Sequence, residues 1–106
     1  GLWAQPRLVE TGGGLRAPGD SVSLQCQGHG FDRFEIRGVR WYRQTGGGSL
    51  QWVSVISSDS SVIRFGKSVE GRATVSRDNS LAESLLSLRA LRPQDSARYF
   101  CAVARR

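Results

Sequence analysis

The stretch Asp95-Ser96-Ala97-Arg98-Tyr99-Phe100-Cys101 ends in the second of two cysteines. The first, Cys26, lies 75 positions earlier, a spacing that suits neither a zinc knuckle nor a redox CxxC pair. A disulfide closing so long a loop contributes about 4.5 kcal/mol in the chain-entropy model when its geometry is unstrained. Such a bond persists only in an oxidising compartment, which implies secretion or a cell surface. Trp41 follows Cys26 by fifteen positions, so an indole can pack where the two sulfurs join two β-layers. Tyr99, two residues before Cys101, is placed for its hydroxyl to bond back to the turn Arg92-Pro93-Gln94-Asp95. Each signal is weak alone. Together they predict two sheets closed on Trp41.

The rest of the chain agrees. Turn signals recur at Gly12-Gly13-Gly14, Pro18-Gly19-Asp20, Gly46-Gly47-Gly48, Ser57 to Ser61 and Asp78-Asn79-Ser80. Between them Val22, Leu24 and Cys26 alternate with Ser21, Ser23 and Gln25, the period-two signature of a half-buried strand. Val39 with Trp41, Ala73 with Val75, and Ser84 with Leu86 and Leu88 continue it. Residues 81–91 are rich in helix formers, but their flanking turns and the 84/86/88 alternation favour a strand. The expected fold is an all-β sandwich or barrel, without internal repeat or linker. At 106 residues, residues 1–106 are expected to form one domain, with 1–4 as an N-terminal extension too short for a signal peptide.

Composition narrows the function. No run of eighteen apolar residues exists, so no membrane insertion is expected of this segment. Fifteen Lys and Arg against nine Asp and Glu give +6, but the arginines are scattered and no aromatic-interleaved basic motif appears, so nucleic acid is not an expected partner. His29 is the only histidine, which excludes a multi-histidine metal site, and no cofactor is expected. No Gly-x-Ser-x-Gly elbow supports a Ser-His-Asp triad, and Gly46-Gly47-Gly48 lacks the lysine of a phosphate loop. Asn79, the only asparagine, is followed by Ser80-Leu81 and is no glycosylation acceptor. The chain is not expected to be an enzyme.

Further stretches are Leu8-Val9-Glu10-Thr11-Gly12-Gly13-Gly14-Leu15, Trp41-x-Arg43-Gln44, Leu50-x-Trp52-Val53-Ser54-Val55-Ile56-Ser57, Ser68-Val69-x-Gly71-Arg72, Ser76-Arg77-Asp78-Asn79-Ser80, Leu91-Arg92, and Asp95-x-Ala97-x-Tyr99-x-Cys101-Ala102. In these the chain resembles antibody heavy-chain variable domains, nearest the human third subgroup. The resemblance extends from about Gln5 to Ala102, with one extra residue between Cys26 and Trp41. It implies an immunoglobulin V-set β-sandwich of Greek-key type with one Cys26–Cys101 inter-sheet disulfide, and an ion pair between Arg72 and Asp95. It further implies that Tyr42, Gln44, Leu50, Trp52 and Phe100 face a light-chain variable domain. Tyr42 stands where valine is usual, a choice similar to that of camelid single domains, yet the retained Leu50 and Trp52 favour a paired domain.

By the same resemblance a protein or glycoprotein antigen is bound by three loops. The first offers Asp32, Arg33, Phe34, Glu35, Ile36 and Arg37, with Phe31 expected as a core anchor. The second offers Ser57, Ser58, Asp59, Ser60, Ser61, Ile63 and Arg64, and the third starts at Ala104, Arg105 and Arg106. The arginines bias the site toward an acidic epitope, and a viral glycoprotein is a plausible antigen for a heavily mutated antibody. The competing reading is a T-cell-receptor-like or other immune-receptor domain on a cell surface. Several residues depart from the family. Ala73 and Ser84 are expected to thin the core, with Leu81 and Leu85 compensating in part, and Arg40 is expected to point into the light-chain interface and to need an acidic or carbonyl partner. The family continues past the second cysteine into a last strand, whereas this sequence stops at Arg106. The expectation is a segment of a longer chain, or a strand donated by another polypeptide; a native mass near 11.6 kDa would exclude the former.

Overall fold

Eight strands alternate with turns in the computed structural model, which describes residues 5–105. They are β1 (Arg7–Gly12), β2 (Val22–His29), β3 (Val39–Gln44), β4 (Leu50–Ile56), β5 (Ile63–Phe65), β6 (Ala73–Asp78), β7 (Glu83–Leu88) and β8 (Arg98–Val103). Two antiparallel four-stranded sheets result, ordered β1-β2-β7-β6 and β5-β4-β3-β8. The fold is therefore an all-β sandwich. Residues 83–88 are strand, because alternation buries Ser84, Leu86 and Leu88 on one face and outweighs the local helix preference.

The core lies between the sheets. Trp41, Ile56, Leu86, Val39, Val53 and Val69 are fully buried there, each side chain contributing about 1.5–3 kcal/mol over exposure if aliphatic and more for the indole. Cys26 of β2 and Cys101 of β8 form the disulfide across the layers, Cα–Cα 6.3 Å, and both pack in the same cluster as Trp41. Gly12 closes β1 at φ +96°, where any Cβ would lie 2.5 Å from the Ser23 carbonyl oxygen.

Two departures from expectation concern this core. Ser84 is not merely a missing side chain: its Oγ accepts from the Trp41 indole N–H at 3.2 Å and donates to the Ser76 carbonyl at 2.9 Å. A larger apolar residue there would leave the buried indole N–H without an acceptor. Leu81 and Leu85 do not compensate for lost volume, being 56% and 42% exposed on the outer side.

Strand β4 carries a bulge. Ser54 pairs with Trp41 and Trp52 with Tyr42, so Val53 is an additional residue between them. Val53 and Ser54 are both buried, while Trp52 emerges on the outer face. Strand β8 lies at the edge of its sheet, and a groove of about 660 Å³ runs between it and β1. There the Glu10 carboxylate accepts from the Cys101 backbone N–H at 3.2 Å.

Candidate binding site

At the end of the sandwich where β2–β3 and β4–β5 connect, two loops are held by one arginine. Arg77 of β6 donates from Nη1 to the Ser57 carbonyl at 3.0 Å and from Nη2 to the Phe34 carbonyl at 3.1 Å. Its guanidinium lies 4.8 Å from the centroid of the Phe34 ring, and its Nε donates to Asn79 Oδ1 at 2.6 Å. Asn79 in turn donates to the Ser58 carbonyl at 2.9 Å. Burial lowers the Arg77 pKa from its usual value, though a guanidinium so far above neutrality stays charged. Neither Arg77 nor Asn79 was legible as a loop anchor; their place in the strand-to-turn run 76–80 was the only trace.

The first loop is built from the inside. Arg33 enters the left-handed region at φ 63°, and Phe34–Ile36 form a single 3-10 turn. Phe34, expected as a contact residue, is only 4% exposed, and its ring meets Phe31 edge-on at 6.3 Å. It is a core anchor instead, held against the Arg77 guanidinium with the Phe31 ring packed edge-on. Asp32, Arg33, Glu35 and Ile36 remain exposed. Arg33 Nε pairs with Glu35 Oε1 at 2.9 Å, and the Glu35 carboxyl is lowered by backbone and Arg33 hydrogen bonds. Half-buried Arg37 donates to the Asp32 carbonyl at 3.0 Å and to the Ala104 carbonyl at 3.2 Å, tying the first loop to the start of the third.

The second loop organises itself around Asp59. Its Oδ1 accepts from Ser61 Oγ at 2.6 Å, Ser61 N–H at 2.9 Å and Ser57 Oγ at 3.1 Å, and these bonds lower its pKa to about 2. Ser60 takes φ 65° at the tip. Ser57 and Ser61 therefore shape the loop as well as border it. Ile63 is half-buried and packs in part against the core, and Arg64 points outward. Ala104 and Arg105 are exposed beside the first loop, and Arg106 lies outside the described residues, as do residues 1–4.

The outer face of the β5-β4-β3-β8 sheet forms a second surface. Register and alternation arrange it in three rows across the strands. Nearest the loops run Arg64, Val55, Arg40 and Ala102. Next come Trp52, Tyr42 and Phe100, then Leu50, Gln44 and Arg98. Leu50 is 56% and Trp52 37% exposed, which is unusual for large apolar side chains without a covering partner. The structure thus brings Tyr42, Gln44, Leu50, Trp52 and Phe100 onto one face.

At the opposite end Asp95 is buried against two arginines. Arg72 reaches both its oxygens, at 2.7 and 3.0 Å, and Arg43 Nη1 reaches Oδ1 at 2.9 Å. The Tyr99 hydroxyl donates to the Asp95 carbonyl at 2.8 Å and accepts from Arg43 at 3.0 Å. Burial opposes ionisation of Asp95, but hydrogen bonds from Arg72, the Arg92 N–H and Arg43 win and hold the carboxyl well below the usual range. Among the described residues no metal-binding cluster occurs.

The family comparison agrees with this two-sheet sandwich. A model of the immunoglobulin V-set domain matches residues 15–106. The chain belongs to the immunoglobulin V-set family. V-set domains are non-enzymatic binding modules of secreted proteins and extracellular surfaces, whose usual partners are other immunoglobulin domains or antigens. No helix of the described V-set domain is long and apolar enough to cross a membrane.

Proposed function

We propose that this V-set domain is the heavy-chain variable half of an antibody binding site, pairing with a light-chain variable domain and reading a protein or glycoprotein antigen. The observation that carries this reading is the outward row Trp52, Tyr42 and Phe100 with Leu50 beside it, in which Trp52 and Leu50 are exposed and Tyr42 and Phe100 half-buried, an apolar face that favours a covering domain. The loops above it supply rigid and adaptable groups side by side, and Arg33, Arg37, Arg64 and Arg105 bias them toward an acidic epitope. Arg33 is partly neutralised by Glu35, which leaves Arg37, Arg64 and Arg105 as the main cations of the rim.

The test is sedimentation of the domain with purified light-chain variable domains and, in parallel, with T-cell-receptor variable domains. Heterodimers with light-chain domains alone are expected. Pairing only with receptor domains would move the assignment to a cell-surface immune receptor. For the antigen, affinity for an acidic protein surface is expected to fall between about 50 and 500 mM salt.

A further inference from the structure

The outer face of the β5-β4-β3-β8 sheet has a charge asymmetry that its apolar character hides. None of the four strands contains an aspartate or glutamate, yet Arg64, Arg40 and Arg98 all point outward. Arg40 and Arg64 flank Val55 in the row nearest the loops, about 10 Å apart across two strand spacings. Arg98 closes the far row, its guanidinium 4.8 Å from the Phe100 centroid. Among the described residues none of the three has an acidic partner: the ion pairs are Arg33–Glu35, Arg43–Asp95 and Arg72–Asp95. Covering this face desolvates the arginines, which is costly unless the covering surface returns carboxylates.

From this we propose that the face is built for a domain whose own sheet is apolar at its centre and carries carboxylates opposite Arg40 and Arg98, and that it rejects a second copy of this chain. Two copies can meet face to face in two symmetric ways. With the two-fold axis along the strands and through β3, Arg40 meets Arg40, while each Arg98 lies opposite Leu50 of the other copy. With the axis across the strands, the Arg40 row meets the Arg98 row. The first places cation on cation and the second places Arg40 one strand spacing from the other copy's Arg98, and like charges in a closing interface repel. The aromatic row supplies adhesion, and the arginines on either side select the partner. This rests on the paired-domain reading above, and names the partner's chemistry.

A charge-reversed copy of the chain serves as the probe, Arg40→Glu with Arg98→Glu. Both sites are exposed, so the variant is expected to melt within a few degrees of the parent. By analytical ultracentrifugation, parent alone and variant alone are expected to be monomers at about 50 mM salt. Their equimolar mixture is expected to form a heterodimer that weakens at least about tenfold at 500 mM. A neutral variant, Arg40→Gln with Arg98→Gln, is expected to self-associate more than the parent, and this arm stands even if the acidic variant fails to fold. Parent chains that dimerise through this face as readily as the neutral variant, or a mixture no more associated than its components, would overturn the proposal. If light-chain domains fail to bind while the charge-reversed copy binds, the antibody reading fails and the charge selection stands. Equal binding of light-chain domains with and without acidic residues on the contact face removes the charge selection alone.

Discussion

Asp95 illustrates how one side chain can decide stability. It is 6% exposed and accepts from two guanidiniums that are themselves buried, Arg43 at 3% and Arg72 at 7%. Asp95→Asn removes the charge while keeping the shape, leaving two buried cations to face each other. Breaking a buried pair in this way costs about 3–5 kcal/mol, so a thermal melt of D95N should fall by well over ten degrees. The carboxyl is held below its unfolded value of about 4, so its contribution is complete above that pH and is lost as pH falls through the folded value. Parent melting temperature is therefore expected to be flat from pH 7 to about 4 and to drop below it, with a shallower drop in D95N. Part of this cluster was legible. The resemblance supplied Arg72 and Asp95; Arg43 was not read as inward, although it continues the alternation of Val39 and Trp41. What alternation cannot say is whether an inward arginine finds a carboxylate, which depends on a residue 52 positions away. Ser84 misled for a similar reason. Read as a missing methylene, it is the acceptor of the Trp41 indole, and Ser84→Ala should cost about 1–3 kcal/mol in denaturant titration.

Strands and loops differ in how openly the sequence declares them. Strand β2 alternates cleanly, and β7 could be told from a helix by its 84/86/88 pattern. Strand β4 breaks the rule, because the bulge places Val53 and Ser54 on the same side, and no composition signal marks it. The loops hide most. Phe34 looked like a contact residue because aromatic side chains serve both roles, and only the position of Arg77 beneath it decides in favour of the core. Arg77→Ala should release both loops while leaving the sheets intact. Hydrogen exchange is expected to quicken at least about tenfold in residues 31–37 and 57–62 and to change little in β2 and β7. Unchanged loop exchange would show that the bonds to Ser57 and Phe34 do not hold the loops. Asp59 should make the second loop robust to acid down to about pH 2, where its carboxyl protonates.

Taken together, the sheets hold two surfaces at fixed positions, a loop rim and an apolar face with arginines at both ends. The Cys26–Cys101 bond spans the layers that keep them in register. Replacing both cysteines with alanine should cost about 2–5 kcal/mol, read as a lower denaturation midpoint in chemical unfolding. The family and the sandwich were legible from Cys26, Trp41, Tyr99 and Cys101, because those residues carry covalent and packing constraints that leave few alternatives. Of the charge pattern of the outer face only Arg40 was legible, since Arg64 and Arg98 are far from it in sequence and share its face only through strand register.

Arg37 and Arg77 grip their loops by main-chain carbonyls, those of Asp32, Ala104, Ser57 and Phe34. A carbonyl is the one acceptor every amino acid keeps, so, the buried Phe34 ring apart, these clamps are blind to the identity of the residue they hold. Such an attachment lets the rim be rewritten letter by letter without unhooking from its scaffold, whereas changing the number of residues in a loop would carry the clamped oxygen out of reach.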